Sequence, residues 1–189
     1  MVAGWDIQKN PIEAKQLMGY VPDMPFLYDR LTAAEYFEFK GDLYGVAPGR
    51  VATALEESFM LFGLNEHRGS LVKDLSHGLK QRLIYASTFL HEPKVMFIDE
   101  PLIGLDPYTI RLIKDLLKAK ARAGMTIFLT THILALAEDI ADRIGIIFRA
   151  RMIELGTLPE LLARHGGDRL EDVFLNLTAE EGRPLLRTE

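Results

Sequence analysis

Residues 95–100 read Val-Met-Phe-Ile-Asp-Glu, an apolar run that stops on two adjacent carboxylates. A short apolar run bounded by Pro93 upstream and a turn downstream is the pattern of a strand that needs cover on both faces, as a central strand of a parallel sheet does. Parallel neighbours need crossovers, and the sequence supplies them. Pro107 opens a helical pattern with Ile110, Ile113, Leu117 and Ala121 on one side and Gly124 at its end. Residues 126–129 then read as a second buried strand, 133–140 as a helix and 144–148 as a third strand of the same alternation. Such alternation implies right-handed crossovers, with helices on both faces of the sheet. Residues 151–155 add an edge strand, and 158–165 a helix before Gly166-Gly167.

The first third is helical by its punctuation. Asn10-Pro11 reads as an N-cap and first helical position of a short helix ending before a strand at 17–21, and Pro22 and Pro25 then force a loop. Thr32-Ala-Ala-Glu35 is a capping box, in which the hydroxyl and the carboxylate each satisfy an N–H left unpaired by the first turn. That helix is expected to run toward Gly41. A second, from about Pro48, carries Val51, Leu55, Phe59 and Phe62 and stops at Gly63. Phe26, Tyr28, Tyr36, Phe37 and Phe39 are more aromatics than a small bundle needs.

Charge and composition exclude several functions. With 22 Lys+Arg against 27 Asp+Glu, a net charge of −5, and no long basic run, a general nucleic-acid binder is not expected. The absence of cysteine removes disulfides, thiolate metal sites and thiol nucleophiles together. The stretch 123–137, free of Asp, Glu, Lys and Arg, is shorter than the ~20 residues that cross a bilayer. The start, Met-Val-Ala-Gly-Trp, has neither a basic leader nor an apolar run, so no signal peptide is expected.

The chemistry concentrates at the ends of strands. Asp99 and Glu100 close a buried strand at the edge where open α/β sheets bind ligands. Neighbours on a strand point to opposite faces, which gives the two acids different tasks: one holds Mg²⁺ through its water shell while the other orients an attacking water. The bland alternative is a solvated acidic turn. In Leu-Ser-His-Gly-Leu-Lys-Gln-Arg, 75–82, Ser76 caps a helix, and Gly78 allows close backbone approach, together an anion site suited to a terminal phosphate. A plain helix cap is its alternative. Thr130-Thr131-His132 follows the next strand, where a histidine can reach a γ-phosphate or simply fill a strand-to-helix turn.

Order and spacing make these segments resemble the ATP-binding cassette (ABC) ATPases. LSHGLKQR is similar to the family's signature motif, VMFIDEP to its Walker B strand, GLDP (104–107) to its D-loop and THIL (131–134) to its switch histidine loop. MGYVPDMP, 18–25, resembles the loop that joins catalytic core and helical subdomain, and RLEDVFLNLT, 169–178, the end of cassettes serving ABC-2 type exporters. The resemblance implies an α/β P-loop NTPase fold, a parallel-sheet core with an inserted helical subdomain. It implies the division 1–23 partial catalytic core, 24–92 helical signature subdomain, 93–165 catalytic core and 166–189 C-terminal tail. It also implies ATP and Mg²⁺ as cofactors and ATP hydrolysis coupled to transport. Carried over residue by residue, Asp99 binds Mg²⁺ through water, Glu100 is the general base, His132 holds the γ-phosphate, and Ser76, Gly78, Asp106 and Asp23 are nucleotide-binding. The implied partners are a transmembrane permease subunit and a second ATP-binding cassette, with no nucleic acid, at the cytoplasmic face of the cell membrane. The resemblance also implies a groove beside the helical subdomain that receives a short helix of the permease, so Phe26, Tyr28, Tyr36, Phe37 and Phe39 divide between subdomain core and a partner socket.

The sequence departs from the family in three places. No Gly-x-x-x-x-Gly-Lys-[Ser/Thr] run occurs, so the first strand and phosphate loop are absent and the chain reads as a cassette shortened at its start, inactive alone. Asp23 stands where many cassettes have glutamine, and an ionised carboxylate cannot donate a hydrogen bond. His77 stands inside the signature, most simply as branch variation. A non-transport ATPase of the same superfamily, in DNA repair or translation, and a non-catalytic remnant that only binds partners are the alternatives.

Overall fold

The computed structural model describes residues 1–100, 102 and 104–180. Pro101, Ile103 and residues 181–189, which belong to the acidic motif, the turn after it and the C-terminal segment as read from sequence, lie outside the described residues. The chain forms two compact units, Met1–Thr130 and Thr131–Glu189.

In the first unit α1 (Pro11–Gln16) leads into β1 (Met18–Val21), followed by α2 (Ala33–Leu43), α3 (Pro48–Leu61), α4 (His77–Phe89), β2 (Val95–Asp99), α5 (Pro107–Arg122) and β3 (Thr126–Thr130). The expected capping box starts α2: Thr32 accepts from the Glu35 N–H, and the Glu35 carboxylate accepts from the Thr32 N–H at 2.8 Å. Asn10 precedes α1 but makes no side-chain cap, because its φ of −127° and ψ of 60° are not those of a capping residue. Phe37 on α2 and Phe59 on α3 meet edge to face, centroids 5.7 Å apart, both fully buried. Gly41 lets these helices approach closely, since a Cβ built there would lie 2.5 Å from Val51 Cγ2.

The strands form a parallel sheet ordered β1-β2-β3, with Tyr20 opposite Phe97 and Phe97 opposite Phe128. The apolar run of β2 was expected to be covered on both faces. Met96 and Ile98 are buried, but on the other face Tyr20 and Phe128 remain 60% and 56% exposed, so among the described residues only one face is fully covered.

The second unit holds α6 (Leu134–Ile140), β4 (Ile144–Phe148), β5 (Arg151–Gly156), α7 (Leu158–His165) and α8 (Leu170–Glu180). Residues 144–148, expected in the parallel sheet, instead pair antiparallel with β5, with a register shift between Ile146 and Ile147. The turn between these strands puts Arg149 and Ala150 at φ of 48° and 61°, the doubly left-handed backbone that matches hairpin twist. Ile144, Ile146, Leu161, Leu170 and Val173 form the buried core of this unit. Thr157 and Glu160 make a second capping box at the start of α7.

Candidate functional site

Parallel pairing brings the carboxyl ends of β1, β2 and β3 to one edge. Asp99, exposed, pairs with Thr130, whose hydroxyl donates to Asp99 Oδ1. Glu100 donates its N–H to the Thr130 carbonyl at 3.0 Å, and its φ is +47°. The acids therefore differ in placement because the chain leaves the strand at Asp99 and enters a left-handed conformation at Glu100, not because of strand alternation. A non-glycine residue there is strained, a cost met most often where a side chain has to be aimed. Asp23, partly buried, follows β1 at the same edge by two residues.

Ser76 caps α4, accepting from the Leu79 N–H at 3.3 Å, and is exposed. The Ser76–Gly78 turn lies against Gly104. A Cβ on Gly104 would sit 2.7 Å from His77 Cδ2, and one on Gly78 would be 3.5 Å from the Gly104 carbonyl oxygen. His77 thus has a packing role, on a glycine whose φ of +74° also favours the absence of a side chain.

Asp106 uses both carboxylate oxygens inside the chain. Oδ1 accepts from the Thr109 N–H at 3.0 Å, capping α5, and Oδ2 accepts from the Thr109 hydroxyl at 2.6 Å and from Arg82 Nη2 at 2.5 Å. The two Thr109 bonds, followed by Arg82, hold this carboxyl well below the ordinary aspartate value. Sequence reasoning missed Arg82, although it ends the same motif that contains Ser76. It also missed Gln81, buried in α4 with Nε2 3.5 Å from the Pro22 carbonyl and Oε1 without a partner among the described residues. His132 belongs to the second unit, exposed in the bend before α6, where the Thr131 hydroxyl accepts from the Ile133 N–H at 3.0 Å.

A cavity of about 410 Å³ opens among β1, the loop after it, α2 and α4. Of the aromatics proposed for a partner socket, Phe26 and Tyr36 line it, Phe37 belongs to the core, and Tyr28 and Phe39 pack on each other edge to face at 5.1 Å. Tyr20, Lys40 and Tyr44, not singled out in the sequence, complete the wall. Among the described residues no group of three or more His, Cys, Asp and Glu side chains could hold a metal, and no helix is long and apolar enough to cross a membrane.

Residues 14–138 match the family described as "AAA domain, putative AbiEii toxin, Type IV TA system". The chain is 36% identical over 169 residues to the linearmycin resistance ATP-binding protein LnrL of Bacillus subtilis (strain 168), covering 89% of this chain and 54% of LnrL. It is 30% identical over 180 residues to the ABC-type transporter ATP-binding protein EcsA of the same organism, covering 94% of this chain and 73% of EcsA. A solved structure described as an ATP-binding subunit of an ABC transporter superposes with a TM-score of 0.88 at 30% identity, over 93% of this chain and 74% of that one. The chain thus spans about half the length of LnrL and about three quarters of EcsA.

Proposed function

Because the chain belongs to the AAA-domain family matched above and to the ATP-binding subunits of ABC transporters, we propose that it supplies the metal-facing and partner-facing segments of a cassette that hydrolyses MgATP to drive a membrane subunit. The observation that carries this reading is the carboxyl edge of the parallel sheet, where Asp99 is paired with the Thr130 hydroxyl and Glu100 follows it in a left-handed backbone. Such an edge fits Mg²⁺, which keeps several waters and takes one or two carboxylates beside substrate phosphates, so it needs no larger acidic cluster. The fit to ATP is partial: these 189 residues contain no Gly-x-x-x-x-Gly-Lys-[Ser/Thr] run.

In this proposal Asp99 holds the metal through its water shell, and the metal, when bound, neutralises charge on the phosphates. Glu100 takes the proton of the attacking water, and His132 donates to a γ-phosphate oxygen. Ser76 and the Gly78 N–H close on an ATP held by a second cassette, and Asp23 reaches the metal's water shell from the loop after β1. Asp106, whose carboxylate is taken by Thr109 and Arg82, acts at the nucleotide by fixing the start of α5 rather than through a free carboxylate. The proposed organisation is core, 1–23, signature subdomain, 24–92, core, 93–165, and tail, 166–189, peripheral on the inner membrane face through a permease subunit seated at the aromatic cavity.

The test is calorimetry with MgATP. The 189-residue chain is expected to bind far more weakly than micromolar, and a chimera that adds a strand and a Gly-x-x-x-x-Gly-Lys-[Ser/Thr] loop ahead of Met1 is expected to bind and hydrolyse ATP. Micromolar binding without the added segment refutes the proposed division of parts. A chimera that binds ATP and never hydrolyses it favours the non-catalytic reading.

A further inference from the structure

The cavity of about 410 Å³ beside α2 has aromatic walls and, among the described residues, a single cation in its lining, Lys40. The ammonium lies 4.9 Å from the centroid of the Tyr44 ring. Tyr44 is itself stacked on His91, centroids 3.7 Å apart and planes within 12°. His91 is fixed from behind by Nε2, which lies 3.0 Å from the Met18 carbonyl and donates to it as the N–H tautomer. The cation therefore rests on a rigid aromatic stack rather than swinging in solvent.

Lys40 makes no ion pair among the described residues. The other polar side chains nearby do not neutralise it. Burial pushes the Tyr36 phenol up to about 12, so it stays uncharged, and burial pulls both the Lys40 ammonium and the His91 imidazolium down from their ordinary values. A partly desolvated cation without a counter-charge is costly, and an anion that arrives from outside offsets more of that cost than the Tyr44 ring does alone. Phe26, 85% exposed at the mouth, adds a large apolar surface with nothing over it among the described residues. A lone small anion leaves that surface uncovered, whereas a side-chain carboxylate next to an apolar residue on one helix satisfies both.

We propose that Lys40 is the anchor for an acidic side chain on the docking helix of the membrane subunit, with an apolar neighbour of that acid seated against Phe26. The proposal rests on reading the cavity as the partner socket and adds the chemistry that selects the partner.

The probe is an acetylated, amidated Ala/Lys-rich helical peptide with Leu and Phe on one face and Glu, Gln or Lys one turn away, titrated into the full chain. The Glu peptide is expected to bind about fivefold more tightly than the Gln peptide, as one partly exposed charge contact implies. That preference should vanish in Lys40→Met and persist in Lys40→Arg, while Phe26→Ala weakens every peptide. Lys40→Glu should reverse the ranking in favour of the Lys peptide, which keeps the test decisive if Lys40→Met folds poorly. Peptides that bind equally, all weakened by Phe26→Ala, leave the socket standing and overturn the acidic anchor. No binding, or binding indifferent to Phe26→Ala, overturns the socket and the anchor with it.

Discussion

Replacing Gly41 by alanine sets two effects of opposite sign against each other. In an ordinary helix the change stabilises by roughly 0.5–1 kcal/mol, because glycine loses more backbone freedom on folding. Here the new Cβ would lie 2.5 Å from Val51 Cγ2, 3.2 Å from Val51 Cγ1 and 3.4 Å from Leu90 Cδ2. Val51 is buried and β-branched, so it has no free rotamer to retreat into. Forcing a methyl into such a contact costs about 1–3 kcal/mol, so the clash outweighs the helix gain and Gly41→Ala destabilises by about 1 kcal/mol net. The sign should reverse once Val51 is cut back. Val51→Ala alone costs about 2 kcal/mol in lost burial and cavity. Adding Gly41→Ala to it returns about 1 kcal/mol, a coupling within the range of touching residues. Urea unfolding of the two single variants and the double variant, followed by far-ultraviolet circular dichroism, measures all three terms. If Gly41→Ala raises stability in the otherwise unaltered chain, α2 and α3 do not pack at this distance, and the position assigned to Lys40 on α2 loses its support.

In a complete cassette, Glu100→Gln is expected to leave ATP binding intact and to lower turnover by about 10²–10⁴, the usual cost of losing a general base; steady-state hydrolysis at the unaltered rate sinks that assignment. Asp106→Asn keeps an equally good helix cap and removes the charge opposite Arg82. Because the folded carboxyl is held below its ordinary value of 3.8, its contribution is fully present above that pH and is lost as pH falls through the lower folded value. The stability gap between the two proteins in chemical denaturation should therefore be widest near neutrality and narrow in acid. A gap that grows in acid contradicts the ion pair.

Local rules made some elements plain in the sequence and hid others. The capping box at Thr32 and the apolar run ending at Asp99 announce themselves within a few residues, because capping and strand burial are short-range patterns. The capping box at Thr157 was equally legible and passed unread. The β4–β5 hairpin was hidden for a physical reason: its turn puts Arg149 and Ala150, neither a turn-former, in a conformation usually announced by Asn-Gly. Phe37 and Phe26 look alike in sequence, yet Phe37 is fully buried and Phe26 is 85% exposed. The difference comes from α3, whose Phe59 claims the Phe37 ring. The Arg82–Asp106 pair and the stack beneath Lys40 join residues 24 and 51 positions apart for the first pair and for Lys40–His91 respectively, and no local pattern encodes such meetings.

α4 is a rod of 13 residues, about 20 Å long at the rise of an α-helix. Ser76 caps one end, Ile84 and Thr88 face the aromatic cavity toward the other, and Arg82 grips Asp106 between them. Close-packed helices transmit displacement rather than absorb it. A load applied at the cavity that shifts α4 as a body therefore arrives at Ser76 and, through Arg82, at the first turn of α5 in the same stroke. Binding at one end and geometry at the other are two readings of the position of a single lever.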